Sequence, residues 1–445
     1  MNSPTPELRP ANPLDAWVAG RLGLVDEPLD REHIIARQMA RFSETLAWAK
    51  THSPYYRSRL GGIDPATLTL PADLRRLPFT TAEDLRRNDP PLLCVSQNEI
   101  SRVVTLDTSG TSGPPKRLFF TADDLEAITD FFHHGMSVFT RPGDRVAILF
   151  PGERPGSIGE LLAIGLRRLG AEPIAVGWPV DPRATAGRLH REQPDVVAGV
   201  PVAMLAVARH GAAFGPLRVR SVLVSSDHAS QSVRAGLAAL WQCEVFDHYG
   251  MTEMGYGGGV ECAAHSGYHV REQELLMEVV DVAGGQPVEP GQTGELVVST
   301  LTRKAQPLIR YRTGDLASLL PGTCACGSPL LRIGRITARV DAGIDLAGGG
   351  LLTMPMLDEA LFADPQVIDF TACHRPAAPA NLHVDIVCLG EHADAARLRA
   401  AIAGVAPVAQ ALAADSLRLS ITCHVDGRLR CGAGKRRITL DSAPS

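Results

Sequence analysis

The segment Asp247-His248-Tyr249-Gly250-Met251-Thr252-Glu253 places an aromatic ring, a turn glycine, a hydroxyl and a carboxylate within one short stretch. The apolar pair Val245-Phe246 leads into it and a glycine-rich run, Gly255 to Gly259, leads out, which is the pattern of a strand that ends in a turn. A ring at Tyr249 can lie on a nucleobase, the Thr252 hydroxyl can bond a phosphate, and the Glu253 carboxylate can hold Mg²⁺. An ordinary strand end has the same look, so partners elsewhere in the chain must decide.

A second chemically suggestive stretch precedes it. Val103-Val104-Thr105-Leu106 is strand-like, Thr108, Ser109, Gly110, Thr111, Ser112 and Gly113 follow, and Lys116 stands before a second strand-like run, Leu118-Phe119-Phe120. Such a hairpin loop offers backbone N–H groups, hydroxyls and one cation to a polyphosphate. It is not a Walker loop, which needs Gly-Lys-Ser/Thr opening a helix, whereas Lys116 follows Pro115 and enters a strand. Two other motifs fail. Pro155-Gly156-Ser157-Ile158-Gly159 lacks the first glycine of a nucleophile elbow, and the glycines after Tyr256 open no convincing helix for a dinucleotide fingerprint. His133-His134 has no second ligand cluster nearby in sequence and reads as packing or surface.

The elements needed to position these groups are legible as periodicity. From about 122 to 247, short apolar strands (Val146–Phe150, Ile174–Val176, Val196–Val200, Val222–Ser225) alternate with amphipathic helices at 125–138, 158–169, 185–193, 202–209 and 231–241. That rhythm implies parallel pairing with helices on the faces, and ligands of such sheets collect at the carboxyl ends of the strands. After residue 260 the rhythm changes to strands at Leu275–Val280, Glu295–Ser299, Leu308–Tyr311 and Leu330–Ile333, with turns at Gly284-Gly285, Pro290-Gly291, Gly314 and Pro321-Gly322. This reads as an antiparallel or barrel-like unit. From about 341 the chain reads as a small α+β domain, with helices at 356–362 and 394–403 and strands at 367–373, 382–388 and 417–425. Earlier, residues 31–60 read as one helix broken at Pro54, and Thr80 or Thr81 before Glu83-Asp84 reads as a helix N-cap.

The chain has 445 residues, 45% hydrophobic and 21% charged, enough for more than one domain and a large core. Its net charge of −5 gives no electrostatic case for binding nucleic acid or an acidic membrane. Met1 to Pro13 lacks a signal peptide's basic start and apolar core, and no run of about 18 apolar residues predicts a membrane span. The nine cysteines then suggest free thiols or a metal site rather than a disulfide framework, and a cytoplasmic location is expected.

Together these pieces resemble the adenylate-forming acyl-CoA ligases, and within them the phenylacetate–CoA ligase family, over about residues 36 to 440. Ser53-Pro54-Tyr55-Tyr56-Arg57 and Leu77 to Arg86 are similar to that family's N-terminal region, loop 108–116 to its phosphate loop, and Asp247–Glu253 to its adenine and magnesium motif. Leu308-Ile309-Arg310-Tyr311-Arg312-Thr313-Gly314-Asp315 is the most specific match, followed by Gly334-Arg335-Ile336-Thr337-Ala338-Arg339, and Gly434-Lys435 matches the C-terminal lysine motif. The resemblance implies an α/β fold: a large N-terminal domain, 1–340, of mixed and parallel sheets flanked by helices with a barrel-like β unit, and a small mobile C-terminal α+β domain, 341–445, hinged near Asp341.

It also implies an AMP-forming ligase using ATP, Mg²⁺ and CoA on an aryl or related small carboxylic acid. Loop 108–116 would cradle the phosphates, Tyr249 would cover adenine with Ser226 and Asp227 lining its pocket, and Thr252 and Glu253 would serve the α-phosphate and Mg²⁺. Asp315 would take the ribose hydroxyls, Arg339 the ribose or phosphate, and Lys435 would bridge the carboxylate and α-phosphate. A homodimer is implied as well. Some relatives carry a zinc site, and Cys262, His269 (or His265), Cys324 and Cys326 offer a closed Cys₃His set. The chain departs from the family in three places: Pro114 in the phosphate loop, the charged pair Glu153-Arg154 near the expected acyl pocket, and an irregular segment, 341–348, at the hinge. Those departures keep two alternatives in view, an adenylyltransferase serving a non-CoA acceptor and a nucleotide-binding protein with degraded catalysis.

Overall fold

A computed structural model describes residues 12–89, 91–106, 114–390, 394–425, 427–430, 432 and 435–441. Contacts group the chain into two units that interleave in sequence: Met1–Phe139 with His248–Thr337, and Thr140–Asp247 with Ala338–Ser445. Among the described residues no helix is long and apolar enough to cross a membrane.

In the first unit, helix Arg31–His52 starts where the Asp30 carboxylate accepts the His33 N–H at 3.0 Å. The helix expected over 31–60 breaks at Pro54 as the sequence indicates, and the chain continues as a second helix. Pro54 cannot donate the N–H a continuing helix needs, but it fits the first turn of a new one, and Ser53 caps helix Pro54–Leu60. Thr81 is the N-cap of helix Ala82–Arg87, with Asp84 closing a capping box. Strands Arg102–Leu106 and Lys116–Phe120 pair antiparallel with Leu106 opposite Lys116. Helix Ala122–Met136 follows directly.

The unit's main sheet is antiparallel, in the order Leu275–Val280, Thr293–Thr300, Tyr311–Leu320, Arg332–Ile333, Tyr268–Val270, Gly259–Glu261. One sequence expectation fails here: the strand placed at Leu308–Tyr311, before a turn at Gly314, instead runs Tyr311–Leu320. Gly314 lies inside it with φ +75°, opposite the place where pairing slips between Glu295 and Val297. A glycine at positive φ serves a β-bulge as well as a turn, and sequence does not separate the two. Residues 308–310 are held instead by Arg310. Its buried guanidinium forks onto Glu278 at 3.0 and 3.1 Å, donates to the Leu77 carbonyl at 2.8 Å and lies 4.2 Å from the Phe79 ring centre. That anchor ties Leu77 and Phe79 to the later motif.

In the second unit a parallel sheet runs in the order Glu244–Tyr249, Ser221–Val224, Val196–Gly199, Arg145–Leu149, Glu172–Ala175. Its three central strands, Ser221–Val224, Val196–Gly199 and Arg145–Leu149, are nearly all buried, as strands covered on both faces are. A four-stranded sheet in the order Leu417–His424, Ala380–Cys388, Val367–Arg375, Thr439–Leu440 follows in the same unit, with helices Met354–Phe362, Ala395–Ala403 and Ala406–Ala413. The last of these helices has no counterpart in the sequence expectation. Segment 341–348 enters a hairpin, Gly343–Leu346 with Gly350–Thr353. One apolar core runs through this unit, from Leu149, Val197 and Val222 to Leu357, Phe370 and Val384.

Candidate functional site

Strand Glu244–Tyr249 ends at a glycine for a steric reason. A Cβ on Gly250 would fall 1.8 Å from the Tyr256 carbonyl oxygen, so the chain folds back on itself only without a side chain there. A short 3₁₀ turn, Thr252–Met254, follows and closes at Gly255, where φ is +83°. This fold-back buries Glu253 at 3% exposure.

The first unit brings several expected residues together. Lys116, the first residue of strand Lys116–Phe120, forms an ion pair with the Glu253 carboxylate. The Tyr311 hydroxyl donates to the same carboxylate at 3.3 Å. The Tyr249 hydroxyl donates to Asp315 Oδ2 at 2.8 Å, and both residues are buried. Two pairs, 137 and 66 residues apart in sequence, therefore converge at the motif. Thr108, Ser109, Gly110, Thr111, Ser112 and Gly113 lie outside the described residues.

Two buried arginines without a role in the sequence reading shape this turn. Arg303 donates to the Glu253 carbonyl and, at 3.2 Å, to the Phe119 carbonyl, while its guanidinium lies 4.2 Å from the Phe120 ring centre. Arg271 donates to the Met254 carbonyl and lies 5.0 Å from the Phe131 ring centre. Turn carbonyls away from water need donors, and guanidinium groups supply them. Neither position repeats with a helix or strand period, so spacing gave no signal. Tyr311 stood inside a recognised motif, but its hydroxyl had no assigned partner.

Beyond the turn, Cys262, His269, Cys324 and Cys326 form a cluster whose ligand atoms lie within 4.8 Å of one another. Cys262 Sγ is 3.7 Å from Cys324 Sγ, and Cys326 Sγ is 3.5 Å from His269 Nε2. Zn–S bonds of about 2.3 Å in a tetrahedron set sulfurs about 3.8 Å apart, so this donor set fits zinc. Burial, with the Arg332 cation nearby, pulls His269 down to about 4, which leaves a neutral ring able to ligate. Burial pushes the Cys262 thiol up to about 12. At Cys324 burial also raises the pKa, but hydrogen bonds from Cys326 and Cys262 outweigh it and the net shift is downward. His265 is engaged elsewhere, with Nδ1 3.2 Å from Glu261 Oε2.

The remaining expected residues belong to the second unit. Ser226 and Asp227 follow strand Ser221–Val224, and Ser226 holds a left-handed φ of +76°. Asp227 accepts the His228 N–H at 2.9 Å and the Arg436 N–H at 3.2 Å. Burial raises its carboxyl, partly offset by the Arg436 cation. Arg339 ends the short strand Ala338–Arg339, and Lys435 is exposed.

The model of the AMP-binding enzyme family matches residues 76–302. The phenylacetate–coenzyme A ligase of Thermus thermophilus is 30% identical over 353 residues, 77% of this chain and 78% of that protein. The Pseudomonas putida enzyme of the same name is 31% identical over 334 residues, 72% of this chain and 74% of its own. Among solved structures, a 2-hydroxyisobutyryl-CoA ligase in complex with 2-HIB-AMP has a similar fold, with a TM-score of 0.78 at 21% identity over 93% of this chain and 90% of that one.

Proposed function

Since the chain belongs to the AMP-binding enzyme family, and within it to the phenylacetate–coenzyme A ligases, we propose that it joins an aryl or related small organic acid to CoA through an acyl-adenylate. In the first step a carboxylate oxygen attacks the α-phosphorus of ATP, an acyl–O–P bond forms, and pyrophosphate leaves. In the second the CoA thiol attacks the acyl carbon, loses its proton and expels AMP.

The observation that carries this reading is the convergence of Lys116 with Glu253 and of Tyr249 with Asp315. A buried carboxylate beside a lysine suits a site that exchanges one cation for another: Lys116 can turn to a phosphate while Glu253 takes Mg²⁺. Mg²⁺ would neutralise charge on the triphosphate, and this chain's own residues would position it. Asp315, an acceptor when ionised, would keep Tyr249 on one oxygen and offer its other lone pairs to ribose hydroxyls. Ser226 and Asp227 would line the adenine pocket, Arg339 would contact ribose or phosphate, and Thr252 and Lys435 would serve the α-phosphate, Lys435 also meeting the acid. Thr108 to Gly113 would supply N–H and hydroxyl donors to the outer phosphates.

Zinc held by Cys262, His269, Cys324 and Cys326 would be structural, since four protein ligands leave no open position for chemistry. The segment 341–445 is proposed as a mobile domain hinged near Asp341, exchanging groups between the two steps. A cytoplasmic homodimer completes the reading.

Exchange of radiolabelled pyrophosphate into ATP, run over a panel of aryl and aliphatic acids, tests the proposal. Acid-dependent exchange supports it; ATP binding without exchange for any acid would favour a degraded enzyme.

A further inference from the structure

Arg436 follows the motif lysine directly and is built unlike a tail residue. Its side chain is 3% exposed, and its guanidinium pairs with Asp358, which is equally buried. It also donates to the Phe370 carbonyl at 2.9 Å and stands 3.6 Å from Asp369 Oδ1. The rings of Phe370 and Phe362 flank it, with centres at 4.3 and 5.2 Å. A planar, permanently charged group that forks and stacks fits this cleft, and an ammonium would not. The side chain is thereby fixed to helix Met354–Phe362 and strand Val367–Arg375.

The main chain of the same residue is tied elsewhere in the unit. The Arg436 N–H donates to Asp227 Oδ2 at 3.2 Å, on the loop after strand Ser221–Val224. That N–H lies in the peptide plane that begins at Lys435, and consecutive Cα atoms across such a plane are about 3.8 Å apart. Fixing the plane at Asp227 and the next side chain at Asp358 sets where the Lys435 side chain starts. The left-handed Ser226 holds the Asp227 loop in a conformation ordinary residues avoid, so the acceptor is pre-set.

We propose that Arg436 is a positioning residue: through Asp358 and Asp227 it aims Lys435 for the adenylate-forming step, and the thioester-forming step does not need it. This rests on the reading of Lys435 given above. An ammonium misplaced by about 1 Å loses about 100-fold in rate, because the reacting anions must be held in near-attack geometry.

The test compares half-reactions in the full-length enzyme. Wild type, Arg436→Met, Arg436→Lys and Asp358→Asn are assayed for pyrophosphate exchange with phenylacetate, or with the best acid of the wild-type panel. Thioester formation from the premade acyl-adenylate and CoA is measured separately. For Arg436→Met the exchange kcat should fall about 100-fold, the ATP KM should stay within about 2-fold, and thioester formation should stay within about 3-fold. Arg436→Lys, which keeps charge but not the fork, should fall between Met and wild type. If Arg436→Met does not fold, Asp358→Asn carries the test, with an exchange loss of about tenfold and the same sparing of the second step. Equal losses in both half-reactions, or exchange at the wild-type rate, would overturn the inference. A wild type that shows no acid-dependent exchange overturns the parent reading, whereas a competent wild type with an unaffected Arg436→Met overturns this inference alone.

Discussion

Tyr249 and Asp315 give a quantitative handle on the nucleotide site. The Tyr249 hydroxyl donates to Asp315 at 2.8 Å, in a place where both side chains are buried. A hydrogen bond to a charged group contributes about 1.5–3 kcal/mol, and about 1.4 kcal/mol is a tenfold change in affinity. On the proposed roles, Tyr249→Phe keeps the ring that would cover adenine and removes the hydroxyl's bond to the carboxylate, so ATP should bind about tenfold more weakly. Asp315→Asn removes the charge that would receive the ribose hydroxyls as well as Tyr249, so two such bonds would weaken and the loss should be about 100-fold. If Tyr249 acts through Asp315, the double variant loses no more than Asp315→Asn alone. Independent action would multiply the two losses to about 1,000-fold. Calorimetric titration with a non-hydrolysable ATP analogue and Mg²⁺, with no acid present, measures all four proteins. A double-variant loss near 1,000-fold would refute the coupling and, with it, the assignment of Asp315 as the ribose acceptor oriented by Tyr249.

Other outcomes follow from the same geometry. Lys435→Ala should abolish acid-dependent pyrophosphate exchange while leaving the affinity for the ATP analogue within about 2-fold, because a group used only in the transition state adds little to ground-state binding; near-wild-type exchange would remove the lysine from its role. Glu253→Gln, which keeps the shape but not the charge, should raise the Mg²⁺ concentration needed for half-maximal exchange by about tenfold or more. Protein purified without chelator should contain about one zinc per chain, and Cys324→Ser should lose it together with thermal stability; a metal-free wild type would leave the cluster as three reduced cysteines beside a histidine. Arg303→Met should lower thermal stability and exchange together, since it leaves the Glu253 and Phe119 carbonyls without their donor.

How much of this was legible in the sequence depends on the physical origin of each feature. The parallel strands and their helices were readable because burial on both faces writes apolar runs: helices Ile158–Leu169 and Gln231–Trp241 fall on their expected limits. Strand Tyr311–Leu320 was misread because a bulge glycine and a turn glycine look alike. At the site, Tyr249, Glu253, Lys116 and Asp315 stood out because their types are chemical and their motifs are local. Arg271, Arg303 and Arg436 were missed as supports because each acts on a carbonyl or carboxylate brought in by the fold. Nothing in the spacing of an isolated arginine distinguishes a buried clamp from a solvated charge.

AMP-forming ligation of an acid to CoA has a stoichiometry that other ATP-using reactions lack. The most direct measurement is the product balance of the wild-type enzyme given ATP, Mg²⁺, CoA and an acid from the exchange panel, with nucleotides and thioesters quantified together. AMP-forming ligation yields one AMP and one pyrophosphate for each acyl-CoA formed, and no AMP without the acid. Release of ADP and phosphate in place of AMP, or AMP formation indifferent to the acid, would contradict it.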